Sequence, residues 1–281
     1  MTVLCSGTAT GFASAALAAA DGPAEVLGSF PTACYLRLAS GTVVALLSRD
    51  AVQLPIGVTL PWSSAELPLD APAGPSSVAG GELWLGRLRV TVTGRRDPAL
   101  AHCGRPVQLP GQPAGPDRLG PDPVELDMFG VGPFGVGPSR VGPVEVGPFG
   151  LGPFSLAPAE AVAWLLGRGP GLTPAGDDLL CGALAAQVLF GLPDTGLAAA
   201  VTARLTAPGA TTALSRQLLL RAVAGDGLPE LQEAGRAICR PEPDPLRRAW
   251  ARLLRIGHSS GAALAAGLLA GARHARERVA V

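Results

Sequence analysis

Short runs of apolar residues with strand-like spacing occupy the first part of the chain. Residues 34–38 and 42–47 are two such runs, with Ser40-Gly41 between them as a turn, and a third group, 82–92, alternates between polar and hydrophobic residues from Arg87 onward. Alternation with a period of two places one face of a strand in a core and the other in water. We therefore predict a β-rich domain over residues 1–120, formed as a small antiparallel sandwich or barrel.

Helical spacing replaces this pattern after Pro158, where capping residues, prolines and glycines mark the ends of successive segments. The predicted helices are 159–166, 177–190, 197–205, one that follows Thr211 or Thr212 and ends before Gly225, 229–239, one from Asp244-Pro245 to Gly257, and one from Ser259 or Ser260 onward. In the last helix, Gly267 and Gly271 lie four residues apart, which lets a neighbouring backbone approach. The predicted class is α+β, with an all-helical C-terminal domain over residues 158–281.

A pentapeptide repeat separates the two predicted domains. Residues 132–156 repeat Gly-Pro followed by three residues, five times in succession. A proline at every fifth position prevents a continuous helix and interrupts a sheet ladder. We interpret residues 121–157 as a linker or an expanded loop, and a segment that binds a partner is the less favoured alternative.

The charge balance argues against a polyanionic partner. The chain has 22 acidic and 22 basic residues, and all of the basic ones are arginine. It therefore lacks the excess of positive charge that nucleic acids or anionic membrane surfaces attract.

Cysteine spacing and apolar runs favour a cytoplasmic protein. The five cysteines are scattered and odd in number, and none has C-x-x-C spacing, so neither a disulfide framework nor a thiolate zinc site is expected. The alanine-rich residues 11–20 have no Lys or Arg before them, unlike a signal peptide. The apolar runs at 179–192 and 261–272 are shorter than the roughly 20 residues of a membrane-spanning helix.

The most distinctive stretch runs from Gly169 to Gly182. Thr173-Pro174 has the pattern of a helix N-cap followed by proline at the first helical position. Asp177 and Asp178 then fall near the first turn, where a carboxylate offsets the positive end of the helix dipole. Capping explains one carboxylate better than it explains an adjacent pair.

Two more predicted helix starts are rich in polar groups. Helix N-termini carry unpaired N–H groups and a partial positive charge, which makes them ready sites for anions. The alternative is that these residues only cap their helices, because Ser, Thr and Asp are the ordinary N-cap residues. The candidate anion- or substrate-binding residues at the three starts are Thr173, Gly176, Thr211, Thr212, Ser215, Ser259, Ser260 and Gly261.

The three starts together resemble a known family. Gly171-Leu172-Thr173-Pro174-x-Gly176-Asp177-Asp178, Thr211-Thr212-x-x-Ser215 and Gly257-His258-Ser259-Ser260-Gly261 occur in this order behind a β-rich half. This combination resembles the AllH-like family, formerly a domain of unknown function and now named for a subunit of oxamate carbamoyltransferase. The resemblance covers about the last third of the chain.

The resemblance implies a cytoplasmic, heteromeric transferase of purine and allantoin degradation. It would exchange a carbamoyl group between oxalurate and phosphate, giving oxamate and carbamoyl phosphate, together with other carbamoyltransferase subunits. The candidate catalytic residues are His258, which would polarise the transferred carbonyl, and Asp177 and Asp178, which would orient an amide group. No cofactor is expected, although a divalent cation on the two aspartates stays open.

Two other functions remain open at this point. The chain could be a non-catalytic subunit that binds a ligand or supports assembly, with the chemistry in its partners. It could also be a stand-alone relative that acts on another small anionic substrate.

Overall fold

The computed structural model describes residues 2–67, 69, 74–110, 157–193 and 196–277. The chain divides into two compact units, Met1–Ala99 with Thr212–Pro229 and Leu100–Thr211 with Glu230–Val281. The pentapeptide repeat at 132–156 lies outside the described residues, as does nearly all of the predicted linker. The predicted domain boundaries at 120 and 158 therefore stay a prediction.

Strands dominate the beginning of the chain and helices its end. The elements in chain order are β1 (Val3–Thr10), α1 (Gly11–Ala18), β2 (Gly22–Phe30), β3 (Ala33–Leu38), β4 (Val43–Leu47), β5 (Gly57–Thr59), β6 (Ser76–Ala79), β7 (Glu82–Leu85), β8 (Leu88–Arg96), α2 (Pro158–Leu165), α3 (Ala175–Phe190), α4 (Leu197–Leu205), α5 (Ala213–Val223), α6 (Pro229–Ile238), α7 (Pro243–Leu254) and α8 (Ser260–Glu277). The predicted α+β class is confirmed.

The eight strands of the first unit form a closed barrel in the order β1-β5-β4-β3-β2-β6-β7-β8. Of the two predicted forms, the structure has the barrel and not the sandwich. The prediction of an antiparallel sheet was wrong for two of the pairings, because β1 runs parallel to β8 and β4 runs parallel to β5. The long β1–β8 ladder, from Val3–Leu88 to Thr10–Arg96, closes the barrel.

Burial in β3 and β4 explains their different sequence patterns. In β3, Cys34, Leu36 and Leu38 are buried and Arg37 is exposed, which is the alternation of a strand with one wet face. All five residues of β4 are buried. Helix α5 covers the outer face of this strand, where the Gln217 side chain accepts a hydrogen bond from a β4 amide. A strand covered on both faces reads as a continuous apolar run.

Helices α3 and α8 pack backbone to backbone in the second unit. A Cβ atom on Gly182 would lie 2.1 Å from the Leu264 carbonyl oxygen, and one on Gly267 would lie 2.1 Å from the Leu179 carbonyl oxygen. The close approach predicted at Gly267 is therefore confirmed, with α3 as the neighbour. This packing fixes the N-terminal ends of the two helices side by side.

Two predictions concern the cysteines and the apolar helices. All five cysteines are free thiols. None of the helices in the described ranges has both the length and the apolar character needed to cross a membrane.

Candidate functional site

The start of α3 differs from the predicted cap. The helix begins at Ala175, and Pro174 occupies the N-cap position without a side-chain hydrogen bond. The prediction of Thr173 as the N-cap was therefore wrong. The Thr173 hydroxyl is instead hydrogen-bonded to the Ser260 hydroxyl at 3.1 Å, at the first residue of α8. Two of the three polar helix starts thus meet at the junction of α3 and α8.

Asp177 is fully buried and holds two neighbouring parts of the backbone. Its Oδ1 accepts a hydrogen bond from the Gly167 amide at 2.7 Å, and its Oδ2 accepts one from the Thr211 hydroxyl. Hydrogen bonds of this kind compensate the cost of burying a carboxylate. Asp177 therefore links Gly167, in the loop before α3, to Thr211, which lies just before the N-cap of α5.

Asp178 lies next to Asp177 in the chain but has different surroundings. Only 6% of the residue is exposed, and its Oδ2 atom makes no hydrogen bond within the part of the chain that the structure describes. Burial, and to a smaller extent the charge of Asp177, raises the pKa of Asp178 to about 7, against the opposing effect of the Ser260 and Thr173 hydroxyls. The pair therefore consists of one carboxylate with partners and one carboxyl with an unpartnered oxygen.

Cys181 follows the aspartate pair by one helical turn and was not among the predicted site residues. Burial and the negative charges of Asp178 and Asp177 raise the pKa of the Cys181 thiol well above its usual range. A neutral thiol is a poor nucleophile. The spacing of three and four residues from the aspartates, which places all three side chains on neighbouring helical positions, is the signal that could have identified this neighbour.

Two glycines at the junction are explained by packing. A Cβ atom on Gly176 would lie 2.0 Å from the Leu165 carbonyl oxygen, and one on Gly261 would lie 2.2 Å from the Leu253 carbonyl oxygen. Neither position can hold a side chain without moving the backbone. An anion-binding role for the two glycines stays a prediction.

The third polar helix start belongs to α5 in the first unit. Thr212 is its N-cap, and the Thr212 hydroxyl oxygen accepts a hydrogen bond from the Ser215 amide at 3.0 Å. The capping interpretation is thus confirmed for Thr212. Ser215 is buried. Thr211 belongs to the second unit, and its hydroxyl contacts Asp177. Within this predicted start, Thr212 therefore caps α5, whereas Thr211 is a partner of Asp177.

His258 and Ser259 lie in the turn immediately before α8. Both residues are exposed, and the Ser259 carbonyl oxygen accepts a hydrogen bond from the Ala263 amide of the helix. The Gly261 amide donates to the Ile256 carbonyl oxygen at 2.8 Å, which closes this turn. The imidazole is thus available to solvent at a position two residues before Ser260.

The described residues near Asp177 and Asp178 provide no further ligands for a metal ion on this pair. No group of three His, Cys, Asp or Glu side chains that could hold an ion occurs among them. Within the aspartate pair, both oxygens of Asp177 already accept hydrogen bonds. Only Asp178 offers an unpartnered oxygen.

The pKa of Asp178 predicts how the stability of the protein depends on pH. Folding raises this pKa from about 3.9, the value of an unperturbed aspartate, to about 7. The folded state therefore holds a proton that the unfolded state has lost, and the stabilisation present below pH 4 declines as the pH rises through 7. Relative to Asp178→Asn, the wild-type free energy of unfolding should fall by about 1.4 kcal/mol from pH 6 to pH 8.

This difference is measured by urea unfolding of both proteins at the two pH values. Asp244→Asn makes the same substitution at an exposed position of α7 and serves as the matched control, for which the difference from wild type should not change with pH. An Asp178→Asn difference that is equally independent of pH would contradict the assignment.

The comparisons with known proteins concern the region that contains this junction. Residues 165–272 match the family model described as "Oxamate carbamoyltransferase subunit AllH". The match runs from the last residue of α2 into α8 and includes all three polar helix starts, and it confirms the resemblance based on their motifs. No curated protein and no solved structure matches the chain.

Proposed function

Because residues 165–272 are AllH-like, we propose that the chain is a subunit of a carbamoyltransferase that uses oxalurate and phosphate. Phosphate attacks the carbamoyl carbon, and the carbon–nitrogen bond breaks to give carbamoyl phosphate and oxamate. The reaction would serve purine nitrogen catabolism by way of allantoin, in complex with other carbamoyltransferase subunits. One observation carries the proposal, namely the buried Asp178 carboxyl with its unpartnered oxygen beside the Thr173 and Ser260 hydroxyls.

The chemistry of the substrates fits this junction. Phosphate, oxalurate, oxamate and carbamoyl phosphate are all small anions, and the last three also carry an amide group. The positive ends of α3 and α8 attract anions without a lysine. The two hydroxyls are donors for an oxyanion, and His258 would polarise the transferred carbonyl from the turn before α8. Thr212 and Ser215 at the start of α5 stay candidates for anion binding.

The two alternative functions, a non-catalytic subunit and a stand-alone relative with another anionic substrate, predict different observations. Genes for companion carbamoyltransferase subunits and a carbamate kinase beside this gene favour the proposed complex. Their absence favours a stand-alone relative with another anionic substrate. A chain that binds the ligands but whose candidate residues have no effect on turnover of the complex is a non-catalytic subunit.

Ligand binding is expected to raise the melting temperature of the full chain. A ligand at a hundred times its dissociation constant adds about 2.7 kcal/mol to the stability of the folded state. For a protein of this size, this corresponds to a rise of about 5–10 °C. The measurement is a thermal-shift screen with phosphate, oxamate, oxalurate and carbamoyl phosphate, each added separately.

Sodium chloride at matched ionic strength is the control for this screen. Four ligands that all leave the melting temperature unchanged would contradict the assignment of the substrates. Turnover of the reconstituted complex is the second readout, and an unchanged rate for His258→Ala would contradict the role of the imidazole. His102→Ala, at an exposed histidine that precedes the matched region, is the control for that substitution.

A further inference from the structure

The two adjacent aspartates have separate tasks. We propose that the Asp178 carboxyl exchanges a proton with the substrates during carbamoyl transfer, whereas Asp177 is a positioning residue that fixes the backbone around it. This inference rests on the proposed function, because it assigns a step of that reaction to one residue.

The hydrogen bonds of the two side chains distinguish their roles. Asp177 accepts one hydrogen bond on each oxygen, from the Gly167 amide and the Thr211 hydroxyl, and is fully buried. A substrate that bound to Asp177 would therefore have to compete with these protein hydrogen bonds. Asp178 Oδ2 is equally inaccessible to water and has no partner within the described ranges. A buried polar atom without a partner costs free energy, and a bound substrate would supply the missing partner.

Burial and the neighbouring charge of Asp177 favour the neutral form of Asp178, against the opposing effect of the Ser260 and Thr173 hydroxyls. The titratable groups that interact with it are Asp177 and Cys181, both on α3, and the segment before α3 and the start of α8 contribute the hydroxyls of Thr173 and Ser260. The salt bridges of the described residues do not include Asp178. The nearby Arg168 places its guanidinium over the Trp164 ring, 5.0 Å from the ring centroid.

These surroundings give Asp178 the properties of a general acid. With a pKa of about 7, the carboxyl is partly protonated at neutral pH and can both donate and accept a proton. Proton transfer is most effective when the pKa of the catalytic group lies near the working pH. Thr173 and Ser260, whose hydroxyls interact with this carboxyl, are partly exposed, and Ser259, the chain neighbour of Ser260, is exposed.

The proton balance of the reaction requires such a group. An oxygen of HPO₄²⁻ forms a bond to the carbamoyl carbon of oxalurate, and the bond from that carbon to the amide nitrogen breaks. The leaving nitrogen needs a proton, which Asp178 donates from its carboxyl. The phosphate oxygen loses its proton as the new bond forms, and Asp178 accepts it. The products are carbamoyl phosphate and oxamate, and Asp178 ends in the protonated state in which it began.

Asp178→Asn is expected to lower kcat of the reconstituted complex about 100- to 10,000-fold, the usual contribution of a general acid or base. KM for oxalurate should change little, because asparagine keeps the shape of the side chain and one acceptor oxygen. Asp244→Asn, on the exposed surface of α7, is the matched control and should leave both constants unchanged. A kcat of Asp178→Asn within about tenfold of wild type overturns the inference.

Infrared spectroscopy of the full-length chain tests the protonation state without turnover. Wild type should show a carbonyl band of a protonated carboxyl at pH 6 that disappears by pH 8, and the band should be absent from Asp178→Asn and present in Asp244→Asn. The same band in Asp178→Asn overturns the inference, whatever the rate of the complex.

The two readouts separate this inference from the proposed function. If the wild-type complex turns over and Asp178→Asn does so equally well, only the role of Asp178 is refuted. If the wild-type complex does not convert oxalurate and phosphate, the proposed function fails, and the transfer step fails with it. A band that titrates near pH 7 together with a large loss of kcat supports both.

Discussion

Replacing Asp177 with alanine should lower the free energy of unfolding by about 3–5 kcal/mol. The substitution removes two hydrogen bonds to a charged group, each of which contributes about 1.5–3 kcal/mol. It also leaves the Gly167 amide without its acceptor and a cavity next to the Thr211 hydroxyl. The loss should appear as a lower urea midpoint with an unchanged slope, followed by circular dichroism.

Two further variants define the origin of this loss. Asp177→Asn keeps one acceptor oxygen, so about half of the effect is expected. Thr211→Val removes one of the two donors, and in a double-mutant cycle with Asp177→Ala its effect should be smaller than in wild type, because the shared bond is already lost. The exposed Asp244→Ala should cost less than about 0.5 kcal/mol. A loss below about 1 kcal/mol for Asp177→Ala would contradict a positioning role.

Gly267→Ala is expected to destabilise the fold by about 3 kcal/mol, the upper end of the usual range for overpacking. Its Cβ would lie 2.1 Å from the Leu179 carbonyl oxygen and 2.7 Å from the Ala183 amide nitrogen. Both neighbours are backbone atoms of α3, so the helices must separate, and overpacking of this kind usually costs about 1–3 kcal/mol. The carbonyl oxygen of Leu264 clashes in the same way with a Cβ on Gly182, so Gly182→Ala should have a similar effect.

The control for this prediction is a glycine with open space around it. Gly11 is the first residue of α1, and outside its chain neighbours and the adjacent helix backbone no atom of the described residues lies within 4 Å of a Cβ at this position. Gly11→Ala should therefore be neutral or stabilising by up to about 1 kcal/mol. Thermal and urea unfolding of the three variants compare them directly. A Gly267→Ala protein as stable as Gly11→Ala would show that α3 and α8 do not pack this closely.

The helices after Pro158 could be predicted well because each is marked by local signals, whereas α1, in the alanine-rich stretch 11–20, was not predicted. Helix α4 was predicted at its observed bounds, and α3 was predicted to within two residues of its start, ending before Gly191 in both cases. The start of α7 was placed at Pro245, but the helix begins at Pro243 with Glu242 as the N-cap. Pro243 and Pro245 each offer a proline at the first helical position, and the preferred N-cap residue Asp244 pointed to the second of these starts.

Several strands could not be recognised from local sequence. β1 alternates in burial, but the residues that fill its buried positions are small ones such as Gly7 and Ala9, so hydropathy shows little contrast. β2 shows no alternation in burial, and β5 is only three residues long. These segments become strands through their pairing with distant parts of the chain, as in the β1–β8 ladder.

In the candidate site, too, some features follow from neighbouring residues in the sequence and others from contacts between residues far apart in the chain. The residue types and their order were sufficient to indicate a resemblance to the AllH family, and residues 165–272 match the model of that family. Thr173, however, has the local pattern of an N-cap and contacts Ser260 instead, 87 residues away along the chain. The fold brings the Ser260 hydroxyl within hydrogen-bonding distance of the Thr173 hydroxyl. The local sequence around Thr173 contains no information about this distant partner.

By itself, the sequence determined the order and approximate bounds of the helices after Pro158, the β-rich character of the first half and the three polar helix starts. Those features depend on local spacing and capping chemistry. Only the tertiary structure decided that the sheet closes into a barrel, that the Thr173 and Ser260 hydroxyls meet, and which of the two adjacent aspartates has a hydrogen-bond partner on each oxygen. Burial and hydrogen-bond partners set the state of a carboxyl, and both depend on contacts between residues far apart in the chain.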